Sequence, residues 1–543
     1  MPRPRVVIVG GGFAGAFTAK YLRKYAKDSI EIELINAENY FVFQPLLPEV
    51  ASGTISAPDA VTPLRYMLPG VKFRMAEVTH VDADAKRVHF LQGSRRVPQS
   101  VAYDQLVLAV GQKTNLSFAP GLAEHSVCMR NLADAHQLRN KIIRRLEHAD
   151  VTEDAELKQR LLTFVVGGGG FSGVETIGEV AEMVARTLKF YPNIATAEVR
   201  HVLVQRGPRL LEELPERLGL YAQEKLAARG IDIRLNTSIA SATGNDVYLD
   251  DGTSIPSCLL VTTVGNGPST FTTGLGINLE RGKIPVDANL RAIDRDDTWA
   301  LGDAALIPLP SEDGEPRFAP PTAQFATREA KCVAKNIVRS LAGEAPEQFD
   351  FTPQGSLASI GNYKGVAQIF GLRLSGLIAW MLWRFLYIGM LPGFATRLRV
   401  ALNWGFDYFL PRSIVQIANQ TESATLYRYF AKGDTVSFPG QRVDGFYTVT
   451  EGCLESRIPV DGEAEDFVRV IGPGDHWGER SLSNNTTTLG TLTATDNTRV
   501  MVLKRRDFNN LRNTFPALDD YFKSINDKIY APHLRQQKEP TCK

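Results

Sequence analysis

The chain has 543 residues, too many for one hydrophobic core, and at about 100–200 residues per domain it divides into three or four. Hydrophobic residues make up 44% and charged ones 22%, the balance of an ordered globular protein. A net charge of +1 predicts neither a nucleic-acid partner nor an acidic tail. The cysteines, Cys128, Cys258, Cys332, Cys453 and Cys542, contain no CxxC pair, so neither a disulfide framework nor a metal site is expected. Strand-like sequence already begins at Arg5, which leaves no room for a signal peptide before the first motif.

That motif is VVIVGGGFAGAFTAK (6–20), a short apolar strand running into a helix through Gly10-x-Gly12-x-x-Gly15. The first glycine makes the turn and the second lets backbone approach a pyrophosphate. The third lets helix pack on strand, and the helix N-terminus offers free N–H groups to the anion. The next strand, in SIEIELINAENY, ends at Asn36, where an acid usually binds ribose hydroxyls, with Glu38 two residues further. An amide there still donates and accepts hydrogen bonds. YDQLVLAVGQKTN (103–115) then sets Ala109 and Gly111 at the end of another apolar strand.

An equally good motif returns in TFVVGGGGFSGVE (163–175), with Gly168, Gly170 and Gly173. The strand after it, in EVRHVLVQRGPRLL, puts Gln205 in the acid's place and Arg206 beside it. LLVTTVGNGP (259–268) repeats the apolar strand and turn with Gly265, and DDTWALGDAALIP (296–308) ends a strand in Gly302-Asp303. Such a carboxylate suits ribityl hydroxyls and a flavin pyrophosphate. Together these elements spell an α/β flavoprotein with two Rossmann-type domains, the second inserted into the first. FAD falls to Gly10, Gly12, Gly15, Asn36, Glu38, Ala109, Gly111, Gly302 and Asp303; NADH falls to Gly168, Gly170, Gly173, Gln205, Arg206 and Gly265. A carboxylate at 205 would repel the 2′-phosphate of NADPH; glutamine removes the repulsion and Arg206 offers a cation, so NADPH use is expected beside NADH.

NYFVFQPLLPEVASGT (39–54), GLAEHS (121–126), GGGFSGVE (168–175) and PPTAQFATREAK (320–331) resemble the type II NADH dehydrogenases, non-pumping NADH:quinone oxidoreductases, and the likeness runs from about residue 5 to about residue 417. The resemblance implies a noncovalent FAD, reduced by hydride transfer from NAD(P)H and reoxidised by quinone as substrate. It places Glu175 near the nicotinamide and the quinone approach; read alone, that acid suits a helix N-terminus. Ala323 and Gln324 match the family's quinone motif AQxAxQ, whose second glutamine is Arg328 here, a cation in place of a neutral amide. Gln44-Pro45-Leu46-Leu47 serves equally as quinone tunnel or as core.

No run reaches the roughly 18 uncharged apolar residues of a membrane span. The nearest, LSGLIAWMLWRFLYIGMLPGF (374–394), is interrupted by Arg384 and ended by Pro392-Gly393. Around it gather Trp380, Trp383 and Trp404, and arginines 373, 384, 397, 399 and 412 against Asp407 alone. Phe394, Leu398, Leu402 and Phe409 share one helical face, and Thr396, Asn403 and Asp407 the other. Interfacial aromatics and arginines on an amphipathic pattern describe helices lying in a membrane surface; a buried helical hairpin is the alternative. The resemblance favours the membrane and its quinone pool, with peripheral attachment at the cytoplasmic face of the inner (cell) membrane.

From about Thr425 the texture changes to short strands and turns. YFAKGDTVSFPGQRVDGFYTVTEGCLE (429–455) and RVIGPGDHWGERSL (469–482) resemble the cyclic nucleotide-binding β-roll. Glu479 matches its ribose-binding glutamate, but Thr488 stands where its phosphate-neutralising arginine belongs. Without that cation a buried phosphodiester is poorly compensated, unless Arg480 substitutes. The roll therefore reads as a structural, regulatory or dimerising module, which leaves a homodimer open. The expected domains are 1–130 and 286–350 for FAD, 131–285 for NAD(P)H, 351–420 for membrane anchoring and 421–543 for the roll. Two rival readings stand beside this one. A sulfide:quinone oxidoreductase would need a redox cysteine pair, for which Cys128 and Cys332 are the candidates; a cyclic-nucleotide sensor would carry a degenerate flavoprotein scaffold, against which the intact glycines argue.

Overall fold

The computed structural model describes residues 3–93, 95–267, 270–275, 277, 279–310, 316–353, 355–416, 425–459, 466–483, 486–515, 517, 520–522 and 524; Cys542 lies outside them. The strand Arg5–Val9 forms because its β-branched run can be buried on both faces, and Val6, Val7 and Ile8 are fully buried. It pairs in parallel with Glu31–Asn36 on one side and Gln105–Leu108 on the other. Thr298–Ala300 adds in parallel outside Gln105–Leu108. Lys72–Asp82 adds in parallel outside Glu31–Asn36, then turns into an antiparallel meander with Arg87–Gln92 and Val97–Ala102. The strand from residues 298–300 thus returns to the sheet built by residues 5–108.

Between these segments a five-stranded, all-parallel sheet is inserted, in the order Ser126–Cys128, Leu259–Thr262, Thr163–Gly167, Arg200–Val204, Ile231–Arg234. Each of the two sheets feeds a glycine-loop helix, Phe13–Ala26 from the first and Phe171–Thr187 from the second.

A three-stranded antiparallel sheet, Gly355–Ser359, Gly365–Ile369 and Leu372–Gly376, leads into two helices, Leu377–Met390 and Phe394–Phe409. Pro392 and Gly393, the latter at φ +84°, break the chain between them. The helix pair buries Ala379, Trp383, Val400 and Trp404 against the body and leaves a second apolar face exposed. Ile378, Met381 and Phe385 on the first, and Phe394, Leu398, Leu402, Phe406 and Phe409 on the second, are exposed. Thr396, Asn403 and Asp407 face the body: Thr396 Oγ1 lies 3.1 Å from Thr62 Oγ1, Asn403 donates to Asp59 at 2.9 Å, and Asp407 accepts from Arg186 at 2.9 Å. Among the described residues no helix is long and apolar enough to cross a membrane. The tryptophans differ from the interfacial reading of the sequence. Trp383 and Trp404 are buried, because each indole N–H finds a carboxylate inside the protein.

The C-terminal region folds as two four-stranded antiparallel sheets around their own core, which includes Leu454, Ile471, Leu492 and Val500. It docks on the short helix Leu122–His125. Arg499 meets Glu124 at 2.6 Å, and His125 Nε2 lies 2.9 Å from the Tyr429 amide nitrogen. Burial lowers the His125 pKa to about 4, so the ring is neutral there.

Candidate active site

The two glycine loops are built alike. Gly10 has φ +105° and Gly168 φ +114°. A Cβ on Gly10 would lie 2.3 Å from the Ala109 carbonyl oxygen, and one on Gly168 would lie 2.5 Å from Thr263 Oγ1. Gly15 and Gly173 pack so tightly on the preceding turn that a Cβ would meet the Gly10 or Gly168 oxygen at 1.9 Å or 1.7 Å. Gly12 and Gly170 cap their helices without a side-chain acceptor, and nothing lies within 4 Å of a Cβ built on Gly12. The first-turn N–H groups of the first loop therefore face open space where backbone can meet a pyrophosphate; the second loop shares the build, with Glu213 Oε1 3.5 Å from a Cβ placed on Gly170.

The strand-end amides brace these loops. Asn36 Oδ1 accepts the Gly11 N–H at 2.8 Å, and its Nδ2 donates to the Glu38 carbonyl at 2.8 Å. Gln205 repeats this, accepting the Gly169 N–H at 2.8 Å and donating to Glu212 Oε1 at 3.1 Å. Arg206 is exposed. Ala109 is buried, and Gly111 and Gly265 take positive φ at the turns after their strands.

Between the two loops lies a cavity of ≈ 710 Å³, lined by Phe13 and Asp303 from the first domain and by Phe171 and Glu175 from the second. Gln324 enters from the helix Ala323–Leu341, and Tyr387 from Leu377–Met390. The volume suits a flavin ring with a partner ring beside it. Burial raises the Asp303 carboxyl, against the pull of Arg130, whose nearest nitrogen is 3.9 Å away. Gly302 N–H donates to Glu329 Oε2 at 2.8 Å, so Glu329, which sequence reasoning passed over, fixes the turn that presents Asp303. Arg328 stands apart: it is exposed, its guanidinium sits 5.4 Å over the Phe351 ring, and it does not line the cavity.

Glu175 is buried at the cavity edge. Its Oε1 accepts the Ser359 N–H at 3.1 Å and the Trp383 indole N–H at 3.2 Å. Both bonds favour the carboxylate, but burial outweighs them and raises the pKa to about 8. Behind it lies a paired network. Glu49 accepts the Trp404 indole N–H at 2.8 Å and faces Arg384 at 3.5 Å, yet burial still raises its pKa. The Arg384 guanidinium lies 4.1 Å from the Trp380 ring and 4.4 Å from the Trp404 ring. Glu179 accepts from Ser52 at 2.6 Å and meets Arg412 at 3.5 Å, and Arg412 reaches Asp407 at 2.9 Å. Arg384 thus ties the first outer helix to the helix Leu47–Ser52 that carries Glu49. Asp407 of the second outer helix pairs with Arg186, and Arg412, just beyond that helix's end, pairs with Glu179; Arg186 and Glu179 are both on the second glycine-loop helix. No sequence spacing announces this network, because Glu175 and Trp383 are 208 residues apart.

Comparison with known proteins fits this geometry. A pyridine nucleotide-disulphide oxidoreductase model matches residues 4–330, an NDH2 C-terminal domain matches 354–413 and a cyclic nucleotide-binding domain matches 427–515. The type II NADH:quinone oxidoreductase Ndh of Mycobacterium tuberculosis is 32% identical over 76% of this chain and 89% of its own length. The chain belongs to the type II NADH:quinone oxidoreductases. Demethylphylloquinone reductase NdbB of Synechocystis is 30% identical over 74% of this chain and 96% of its own length. Among solved structures, Plasmodium falciparum NDH2 in complex with NADH shares the fold at TM-score 0.71 and 21% identity, covering 76% of this chain and all of that one. The Aquifex aeolicus sulfide:quinone oxidoreductase also shares it, at TM-score 0.59 and 19% identity over 76% of this chain and 96% of its own. Fold alone therefore does not separate the two activities. The type II likeness rests on the sequence relatives.

Among the described residues of the roll, the space beside Glu479 and Thr488 is small. Glu479 is fully buried with Arg469 at 3.7 Å, and the Thr488 hydroxyl donates to the Phe438 and Gln441 carbonyls. The cavity lined by Trp477, Gly478, Arg480 and Thr488 measures ≈ 20 Å³, space for about one water.

Proposed function

We propose that this chain is a peripheral NADH:quinone oxidoreductase that works at the cytoplasmic face of the cell membrane without pumping protons. A bound flavin supplies the redox chemistry, taking a hydride from NADH and giving two electrons to quinone. The protein's own task is to bind, align and shield. The first glycine loop and Asp303 hold the flavin's pyrophosphate and ribityl chain, and the second loop holds the nicotinamide dinucleotide. Glu175, neutral over much of the physiological range, keeps a proton at the cavity edge, where quinol formation consumes protons. Gln324 offers an amide to quinone or flavin from the first turn of its helix.

One observation carries the reading. A single cavity is lined by both glycine-loop helices and by Leu386, Tyr387 and Met390 of an outer helix whose opposite side is exposed apolar surface. A lipid-soluble oxidant can thus reach the same space as the two dinucleotides from the apolar side. The outward Ile378, Phe385, Phe394 and Leu398, interspersed with exposed Arg397 and Arg399, suit insertion among anionic headgroups. Steady-state assay of the purified protein with a water-soluble quinone, using NADH or sulfide as donor, tests the proposal. NADH oxidation coupled to quinone loss is expected; turnover with sulfide and none with NADH would overturn it.

A further inference from the structure

We propose that Glu212 makes this enzyme select NADH over NADPH, replacing in space the acid that the sequence lacks at position 205. The inference rests on the assignment of the second glycine loop to the nicotinamide dinucleotide. Gln205 and Arg206 alone would admit NADPH beside NADH.

In the structure the Gln205 amide is already occupied. Its oxygen takes the Gly169 N–H at 2.8 Å and its nitrogen donates to Glu212 Oε1 at 3.1 Å. A carboxylate therefore stands at the end of the strand Arg200–Val204, where this fold reads the ribose 2′-hydroxyl. Four features place it there. Leu211 takes φ +50°, a conformation branched residues seldom adopt, and reverses the chain just before Glu212. Its N–H donates to the Gly169 carbonyl at 2.9 Å, tying this return to the glycine loop itself. Arg209 donates to the Glu212 carbonyl at 2.7 Å, so that guanidinium is committed to backbone. Gly207 leaves the space the carboxylate occupies: a Cβ there would lie 1.5 Å from Glu212 Oε1.

A ribose diol can donate hydrogen bonds to the Glu212 carboxylate, whereas a 2′-phosphate brings a charge of about −1.5 to −2 against it. Arg206 is exposed at the same strand end, so the selectivity reflects the balance of these two charges.

The test measures binding of NAD⁺ and NADP⁺ to the oxidised holoenzyme by calorimetry, in the unaltered protein and in Glu212→Gln, with KM and kcat for NADH and NADPH beside it. Glu212 is exposed, so the substitution leaves the core intact. The unaltered protein should bind NAD⁺ at least about ten-fold tighter than NADP⁺, and Glu212→Gln should close that gap by about ten-fold, mostly through tighter NADP⁺. The KM for NADPH should fall with kcat little changed. An unaltered NAD⁺/NADP⁺ ratio in Glu212→Gln, or equal affinities in the unaltered protein, would overturn the assignment of Glu212. Failure of the unaltered protein to bind either nucleotide would instead overturn the placement of the nicotinamide site, and the inference with it.

Discussion

Replacing Glu175 by glutamine should make the protein more stable in alkali and leave it nearly unchanged in mild acid. The carboxyl is only 7% exposed, and burial raises its pKa from the ordinary 4.5 to about 8 even though two N–H groups point at it. A carboxyl raised on folding stabilises the native state fully below its unfolded pKa, and that stability is lost as pH rises through the folded one. At about 1.36 kcal/mol per pKa unit, the rise to about 8 corresponds to a loss of roughly 5 kcal/mol across the whole window. At about pH 4.5 or below the acid is neutral in the native state and largely neutral in the unfolded chain, so glutamine resembles it; at about pH 8.5 the native protein must bury a charge that glutamine does not carry. With about 2–4 °C per kcal/mol for a domain of 150–250 residues, the variant's unfolding midpoint should exceed the unaltered protein's by on the order of 10 °C at the higher pH. Thermal unfolding followed by flavin release at both pH values reads this directly. An equal difference at the two pH values would refute the raised pKa, and with it the view that Glu175 holds a proton at the cavity. The same variant should keep NADH-to-ferricyanide activity, since no proton is needed at the acceptor, while losing much of its quinone turnover at neutral pH.

Asp303→Ala should purify with little flavin, read as the ratio of flavin to protein absorbance; full occupancy would remove Asp303 from the flavin site. Exchanging the outward residues Ile378, Met381 and Phe385 for serine should weaken binding to anionic vesicles in a flotation assay while ferricyanide reduction persists. Unchanged flotation would place the anchor elsewhere. The roll should bind neither cyclic AMP nor cyclic GMP by calorimetry. Thr488 contributes no charge, its hydroxyl is committed to two carbonyls and the cavity is ≈ 20 Å³; micromolar binding of either nucleotide would contradict this account of the pocket.

What the sequence displayed clearly was local. Each glycine motif lies within a few residues, and its spacing alone dictates a turn, a close approach and an open helix end, which the paired values at Gly10 and Gly168 reproduce. Thr488, picked out in the sequence of the roll, lines the small cavity beside Gly478 and Arg480. Contacts made across the chain were not. Trp383 and Trp404 look interfacial in sequence because tryptophan and arginine cluster around them, yet their indoles serve Glu175 and Glu49, hundreds of residues away. The helix faces were readable because helical periodicity sorts Phe394, Leu398 and Leu402 from Thr396 and Asn403; which face meets the body depends on Asp59, Thr62 and Arg186, which no periodicity reveals. Glu212 escaped for a third reason. Its return to the strand end depends on a left-handed leucine, a conformation the residue type disfavours.

The central claim is that one cavity joins NADH oxidation to quinone reduction through a flavin held by the first glycine loop. Anaerobic titration of the purified yellow protein with NADH, followed by addition of a quinone, tests it most directly. The account predicts that one equivalent of NADH per flavin bleaches the flavin absorbance and that quinone restores it as quinol appears. A flavin that stays oxidised in excess NADH, or one that bleaches but is not reoxidised by any quinone, would contradict it.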